Sequence, residues 1–409
     1  MLKLFSKRWI FLFIIIIFDF LIALRTAVDF FFFFFWFLVS VVAVSLGWLL
    51  IKYFIIELEF RRMIPAKVEE GDALDIETVI INKGFLPIFN FLLEDNLSCS
   101  SDSKKKEWIL LEFLPANSSL RVEYRCECRN RGMYSVGPFS VYLFDPLGLF
   151  FLKKSYPVSS ELYVYPQTFP INKFPALRKG TAPWFGIETS RVSGEEHEFY
   201  GIREYKPGDP IKRIHWFSTA RANTLIVKEF QRQVFFRATI AFNLNSDEDA
   251  GEGRDSISEY TVKIAASVAK YLVEEGISVE IIAHAGELVH IPFNKGPEHL
   301  DDIFKFLAAV RPESKVKIDD IFEEFSQRIT GDSNLVVIIP DKEWERLLMM
   351  PYLRARNVFI IPLVLVSSSF QKGYNLKAQN NGQNGLVKIT DLSPTFFTCG
   401  AGLEDSFSG

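Results

Sequence analysis

Between Ser193 and Gln233 the chain reads SGEEHEFYGIREYKPGDPIKRIHWFSTARANTLIVKEFQRQ, its densest mixture of charge, aromatic rings and turn residues. Acids at Glu195, Glu196, Glu198, Glu204 and Asp209 alternate with bases at Arg203, Lys206, Lys212, Arg213 and Arg221, and Tyr205 and Trp216 lie among them. Guanidinium forks on carboxylates are directional, so this spacing suits a geometrically specific ion-pair network. Pro207-Gly208-Asp209-Pro210 predicts a tight turn, because Pro presets one backbone angle and Gly accepts the opposite sign at the next. Two roles stay open for Arg203, Asp209, Arg213, Trp216 and Arg221: locking the segment onto its own domain, or facing outward to meet a partner.

Other reactive residue types are sparse. The four cysteines, Cys99, Cys126, Cys128 and Cys399, lack the paired spacing of a four-ligand zinc site and are too few for a disulfide framework. Cys126 and Cys128 share one face of an expected strand. His197, His215, His284, His290 and His299 sit in no motif that pairs them with a nucleophile. No GxxxxGK[ST] run is present, so no nucleotide is expected in a P-loop. With 46 Lys and Arg against 50 Asp and Glu, a net charge of −4 disfavours a dedicated nucleic-acid binder.

The elements that carry these residues begin with an apolar N-terminus. Two transmembrane helices are expected, over about residues 9–26 and 30–51, joined by a very short connection. A cleavable signal peptide is the competing reading of the first run, but no small-residue cleavage site follows it. Lys3, Lys7 and Arg8 precede the pair, Lys52, Arg61 and Arg62 follow it, and Arg25 alone lies between. That bias puts both termini and the body of the chain on the cytoplasmic side of the cell membrane, where unpaired cysteines belong. Asp19, inside the first run, reads as a residue facing the second helix or the lipid interface rather than a proton relay.

Residues 56–166 read as an antiparallel β-sandwich. ALDIETVIIN, FNFLLED, EWILLEF, SLRVEYRCEC and FSVYLF alternate as half-buried strands between Gly, Asn and Pro turn signals. Residues 167–232 form a linking segment that holds the charged motif. From 233 to 395 strands such as VFFRATIAFNL, ISVEIIAHA, LVVIIP and VFIIPLVLV alternate with helical stretches, including Ser256 to Glu275, Ile318 to Ile329 and Lys342 to Arg356, which implies a Rossmann-like α/β domain built on a parallel sheet. QKGYNLKAQNNGQNG, 371–385, reads as a loop, and residues 396–409 as a tail.

The spacing of Gly194, Glu198, Phe199, Arg203, Tyr205, Gly208, Asp209, Arg213, Trp216 and Arg221 resembles the signature of the family catalogued as domain of unknown function 58. RNRGMYSVGPFSVYLFDPLGLF, Arg129 to Phe150, and Tyr165-Pro166 resemble further elements of that family. The resemblance implies a membrane protein with a sandwich and a von Willebrand factor type A-like domain, associated with MoxR-type AAA+ ATPases in assembling or maturing other proteins. No catalytic activity comes with it. Domains of that type often hold Mg²⁺ through Asp-x-Ser-x-Ser and a later Asp; the corresponding positions here are Asn243, Asn245, Asp247 and Asp341. Neutral amides with so few carboxylates make a poor site for a hard cation, so neither Mg²⁺ nor another cofactor is expected. The expectation is a non-enzymatic adaptor that binds the ATPase, client proteins and the bilayer. The alternative is a metal-dependent binding domain or hydrolase acting on an envelope substrate.

Overall fold

The computed structural model describes residues 7–26, 28–100, 105–177, 199–209, 211–230, 237–316, 334–344, 358–371, 394–400 and 402–407. The chain divides into two compact units, Met1–Gln167 with Phe304–Val310, and Thr168–Ile303 with Arg311–Gly409.

The first unit opens with helices α1 (Lys7–Thr26) and α2 (Asp29–Ile55). α2, 27 residues long with a mean hydropathy of 2.4 over its most apolar 18 residues, is the one described helix long and apolar enough to cross a membrane. α1 has formed over the first apolar run, with Lys7 and Arg8 at its start and Asp19 and Arg25 within it. The helices pack together: Phe20 and Phe35 bring their ring centroids to 4.9 Å. Asp19 is 7% exposed, turned away from the outer surface of the helix. α2 continues four residues past the expected end at 51, because Lys52 to Ile55 keep the helical path and Lys52 Nζ donates to the Phe89 carbonyl at 2.6 Å.

Nine strands follow: β1 (Leu58–Met63), β2 (Lys67–Glu69), β3 (Ala73–Asn82), β4 (Ile88–Leu97), β5 (Lys106–Leu114), β6 (Ser118–Glu127), β7 (Gly132–Phe144), β8 (Phe151–Tyr156) and β9 (Ser160–Tyr165). One sheet runs β1-β3-β6 and the other β2-β9-β7-β4-β5, with β8 also on β7; all pairs are antiparallel except β2 with β9. β3 alternates buried and exposed along its length, as a strand with one face on the core must. Phe60 and Ile80 from the first sheet meet Phe91, Leu93 and Phe139 from the second in one core, and Leu49 of α2 enters the same cluster. α2 is thus part of the sandwich core at its C-terminal end. The side chain of Ser45 donates to Asp145, whose carboxylate also accepts from the backbone N–H groups of Leu147 (3.1 Å) and Phe150 (2.7 Å). Asp145 closes the Asp-Pro-Leu-Gly turn onto the helix.

In the second unit β10 (Phe199–Glu204) and β11 (Ile226–Phe230) pair antiparallel as a two-stranded sheet, with the short helix α3 (Trp216–Ala222) between them. A six-stranded sheet in the order β14-β13-β12-β15-β16-β17 makes the body. Its strands are β12 (Arg237–Asn243), β13 (Ser278–His284), β14 (Leu288–Asn294), β15 (Asn334–Pro340), β16 (Phe359–Leu365) and β17 (Thr395–Phe397). All neighbours are parallel except β13 with β14. Helix α4 (Ile257–Glu274) is capped by Ser256, which accepts from Glu259 N–H, and α5 (Pro297–Ala309), whose residues from Phe304 are counted with the first unit, follows β14. Strands buried along nearly every position, such as β15, are what a parallel sheet covered by helices requires. Residues 396–409, read as a tail, instead include most of β17 and a 3-10 turn, Asp405–Phe407, with Phe397 and Phe407 in the interior. The expected helix at 318–329, most of that at 342–356 and all of the loop at 371–385 but its first residue lie outside the described residues.

Candidate functional site

The charged motif folds as a small hairpin module, and its residues separate into two sets. Arg203, on β10, holds Asp209 with both guanidinium nitrogens, at 2.7 and 2.8 Å. Asp209 also accepts from Lys206 N–H at 2.9 Å. These donors, the Arg203 fork first, draw its carboxyl down to about 2. Gly208 sits at φ +106°, so the expected turn forms where only glycine is unstrained. Tyr205 N–H donates to Leu225 O and His215 N–H to Ile226 O, tying the module across. This set is a lock.

The second set faces outward. His215 caps α3 by accepting from Ser218 N–H, and Asn223 ends the helix in the left-handed region. Held between those caps, Trp216 and Phe217 are each 64% exposed, with Ile211 at 70%. The Arg221 guanidinium lies over the Phe217 ring, 4.5 Å from its centroid. Arg213 ends the 3-10 turn Ile211–Arg213, half-buried. An exposed tryptophan beside a phenylalanine and an arginine has the composition of an interaction hot spot. Phe199 contributes its backbone to β10, opposite Phe230; Gly194 and Glu198 lie outside the described residues.

The four candidate metal ligands are divided among different partners. Asn243 donates to Val316 O at 2.7 Å, and its buried Oδ1 has no hydrogen-bond partner. Asn245 Oδ1 takes Asp247 N–H, leaving the Asp247 side chain exposed. Asp341 Oδ1 accepts from the backbone and hydroxyl of Ser367. Asn243 and Asn245 do line one small cavity of about 10 Å³, but with Glu248 and Asp249. Asp249 is itself taken up by Ser258, at 2.8 and 2.9 Å. With one amide oxygen and one carboxylate oxygen, Glu248 Oε2, free in a space about the size of a single water, the donor set does not suit Mg²⁺, which needs six oxygens.

A cluster that the sequence did not reveal lies in the sandwich. Cys99, beyond the end of β4, joins Cys126 and Cys128, and the three sulfurs lie within 4.8 Å of one another, all buried. Among the described residues this is the one group of three or more Cys, His or carboxylate side chains close enough to share an ion. Hydrogen bonds from Cys126, then Cys128, draw the Cys99 thiol downward against its burial, with Arg62 adding positive charge. The set would favour a soft cation over Mg²⁺. Asp95, nearby, is not available as a further ligand, since Arg62 and Tyr124 occupy its two oxygens. The Cys-x-Cys spacing was the visible half of this cluster; Cys99 arrives only through the closure of the two sheets.

The described histidines serve local structure; His197 lies outside the described residues. His284 Nδ1 is 2.7 Å from Ser314 Oγ in the interior, His290 pairs with Glu280 at 2.6 Å, and His299 bonds Val279 O. His215 and Ser218, 2.7 Å apart, are the cap of α3.

The family model described as "Protein of unknown function DUF58" matches residues 201–360. It begins inside the locked hairpin and runs through most of the six-stranded sheet. An uncharacterized protein, YeaD, of Bacillus subtilis (strain 168) is 22% identical over 255 residues, a match covering 61% of this chain and 61% of that one. The match thus spans less than two thirds of the relative. Among solved structures, the CARDB domain of the PF1109 protein from Pyrococcus furiosus, 9% identical, aligns with 27% of this chain and 89% of its own at a TM-score of 0.20. The PKD domain of an M14-like peptidase from Thermoplasmatales archaeon SCGC AB-540-F20 is 16% identical over 26% of this chain and 91% of its own, with a TM-score of 0.18. Likenesses this slight define neither fold nor function.

Proposed function

We propose that the chain is a membrane-anchored, non-enzymatic adaptor whose β10–α3–β11 module docks a partner protein. α1 and α2 form the anchor as a hairpin, with both termini and the two units on the cytoplasmic side. The partner is a MoxR-type AAA+ ATPase, and the pair assembles or matures client proteins; the six-stranded domain, read as von Willebrand factor type A-like, presents the docking module. The observation that carries this reading is the division of the motif: the Arg203–Asp209 fork is spent inside the hairpin, while Trp216 and Phe217, on a short helix capped at both ends, and Ile211, in the 3-10 turn before it, stand in solvent.

The test is capture of the full chain from its own membranes in mild detergent after brief cross-linking, beside a Trp216→Ala/Phe217→Ala double variant. Removing a docking anchor of this type costs about 2 kcal/mol or more, roughly thirtyfold in affinity, so the ATPase should copurify with the parent and be lost from the variant. Equal recovery with both proteins, or turnover of a substrate by the purified chain alone, would overturn the proposal.

A further inference from the structure

The spanning helix does not end where the sandwich begins. Its last two turns form one wall of a cleft of about 200 Å³ lined on the other side by the β3–β4 connection, with Trp48, Ile51 and Ile55 facing Leu86, Pro87 and Phe89. Beside the cleft the sandwich carries an outward aromatic lip. Phe85 is 70% exposed and Phe89 51%, and Phe89 packs against Phe113 across β4 and β5 in a tilted ring pair with centroids 5.0 Å apart. Leu110 and Leu147 are exposed as well. Exposed phenylalanines beside an apolar cleft are not left to water without a reason.

Its position along α2 supplies the reason. At about 1.5 Å per residue, Asp29 to Ser45 rises about 24 Å and Asp29 to Ile55 about 39 Å, against a hydrocarbon layer of about 30 Å and a bilayer of about 40–45 Å with its headgroups. Starting at Asp29, the hydrocarbon ends near Leu49, and Trp48, Lys52 and Tyr53 fall at the boundary, the residue types that anchor there. The sandwich is fastened to α2 around this level, by Ser45 on Asp145 about one turn before it, Leu49 in the sandwich core at it and Lys52 on the Phe89 carbonyl just beyond it. The lip is therefore held at headgroup depth by the helix itself.

We infer that the cleft and lip are an interfacial lipid site: phospholipid acyl chains of the leaflet fill the space between α2 and Leu86–Phe89, and Phe85, Phe89 and Phe113 insert beside them. The sandwich rides in the membrane surface instead of standing off from it. This inference rests on α2 spanning the bilayer, as proposed above.

The experiment places photoreactive p-benzoylphenylalanine at Phe89, and in a second variant at Phe113, in the full chain reconstituted into vesicles of phosphatidylethanolamine and phosphatidylglycerol. Phe37, exposed within α2, is the control for the span. Met133, exposed on β7 and ten residues before Leu143, up to about 33 Å away along the strand, is the control for the distant surface. Protection of the buried Cys99, Cys126 and Cys128 thiols confirms folding of each variant. After illumination, peptides carrying one added phospholipid should form at Phe89, Phe113 and Phe37, at least about tenfold above the Met133 background, as burial at the acyl boundary requires. Lipid adducts at Phe37 without adducts at Phe89 or Phe113 would overturn the interfacial site and leave the span intact. Adducts at Phe89 to a second protein chain in place of lipid would also overturn it. Absence of adducts at Phe37 would remove the span and the site together.

Discussion

The ion pair inside the sandwich gives a measurable sign. Arg62 on β1 and Asp95 on β4 are bonded with both side chains fully buried; Arg62 also donates to Val136 O at 2.6 Å, and Tyr124 on β6 donates to the second Asp95 oxygen. Burial raises the Asp95 carboxyl from an ordinary 3.8 to about 6, against the opposing pull of Arg62 and Tyr124. A carboxyl that holds its proton more tightly folded than unfolded stabilises the fold fully below about pH 4, and that contribution fades as pH rises through 6. The span of about two pH units is worth about 3 kcal/mol. Glu59 and Asp75 are lowered by their basic partners, and Glu94, against its burial, by Tyr142 and then Lys106 and Lys153; all three oppose this trend over the acid range, so the difference from an Asp95→Asn variant is the quantity to read. The native thiols supply the assay. Cys99, Cys126 and Cys128 are buried in the first unit and Cys399 lies in the second, so a disulfide-exchange reagent active at acid pH reports each unit separately during denaturant unfolding in detergent. Between pH 4 and pH 7 the parent should lose about 3 kcal/mol relative to the variant in the midpoint of the three-thiol transition. If the parent instead gains stability over that interval relative to Asp95→Asn, Arg62 outweighs burial and the reasoning fails.

Three further outcomes follow from the geometry. Asp145→Ala removes the acceptor for two backbone N–H groups and Ser45, and should cost about 1–3 kcal/mol for each buried donor left unpaired, seen as an earlier three-thiol transition with Cys399 unmoved. Gly208→Ala meets no neighbouring atom but must hold φ +106°, so it should loosen the hairpin by about 1 kcal/mol, read as faster amide exchange at Tyr205 and Asp209 while β12–β16 exchange is unchanged. Because the Arg203 fork and the Lys206 amide hold the Asp209 carboxyl at about 2, its contribution is present above an ordinary carboxyl range and is lost as pH falls from there through 2. The Asp209 carboxylate signal of the labelled protein should thus stay ionised at pH 3, and titration near 4 would refute the fork.

Local chemistry was readable in the sequence, and closure was not. ALDIETVIIN became β3 residue for residue and SLRVEYRCEC supplied most of β6, because a period of two with branched and aromatic side chains commits a segment whatever it packs against. Pro207-Gly208 gave a turn for the same local reason. β8 and β9 escaped notice: FLKKSY carries two lysines in a row, and its strand state comes from pairing with β7 across the turn between them, a contact its own residues do not announce. The same distinction divides the sites. The motif at 199–230 is contiguous, so its residues could be gathered from sequence, yet whether Trp216 faced inward or outward depended on which partners had already claimed Arg203 and Asp209. Cys99 could not be joined to Cys126 and Cys128, since the turn after β4 and the end of β6 belong to different sheets. Leu49 shows the principle most sharply. In an unbroken apolar run it is indistinguishable from Leu50, but one is buried in the sandwich core and the other exposed on the helix, a difference fixed by the direction in which β7 and β8 approach α2. A hydrophobic run states that a segment avoids water; only the tertiary contact decides whether lipid or protein takes water's place.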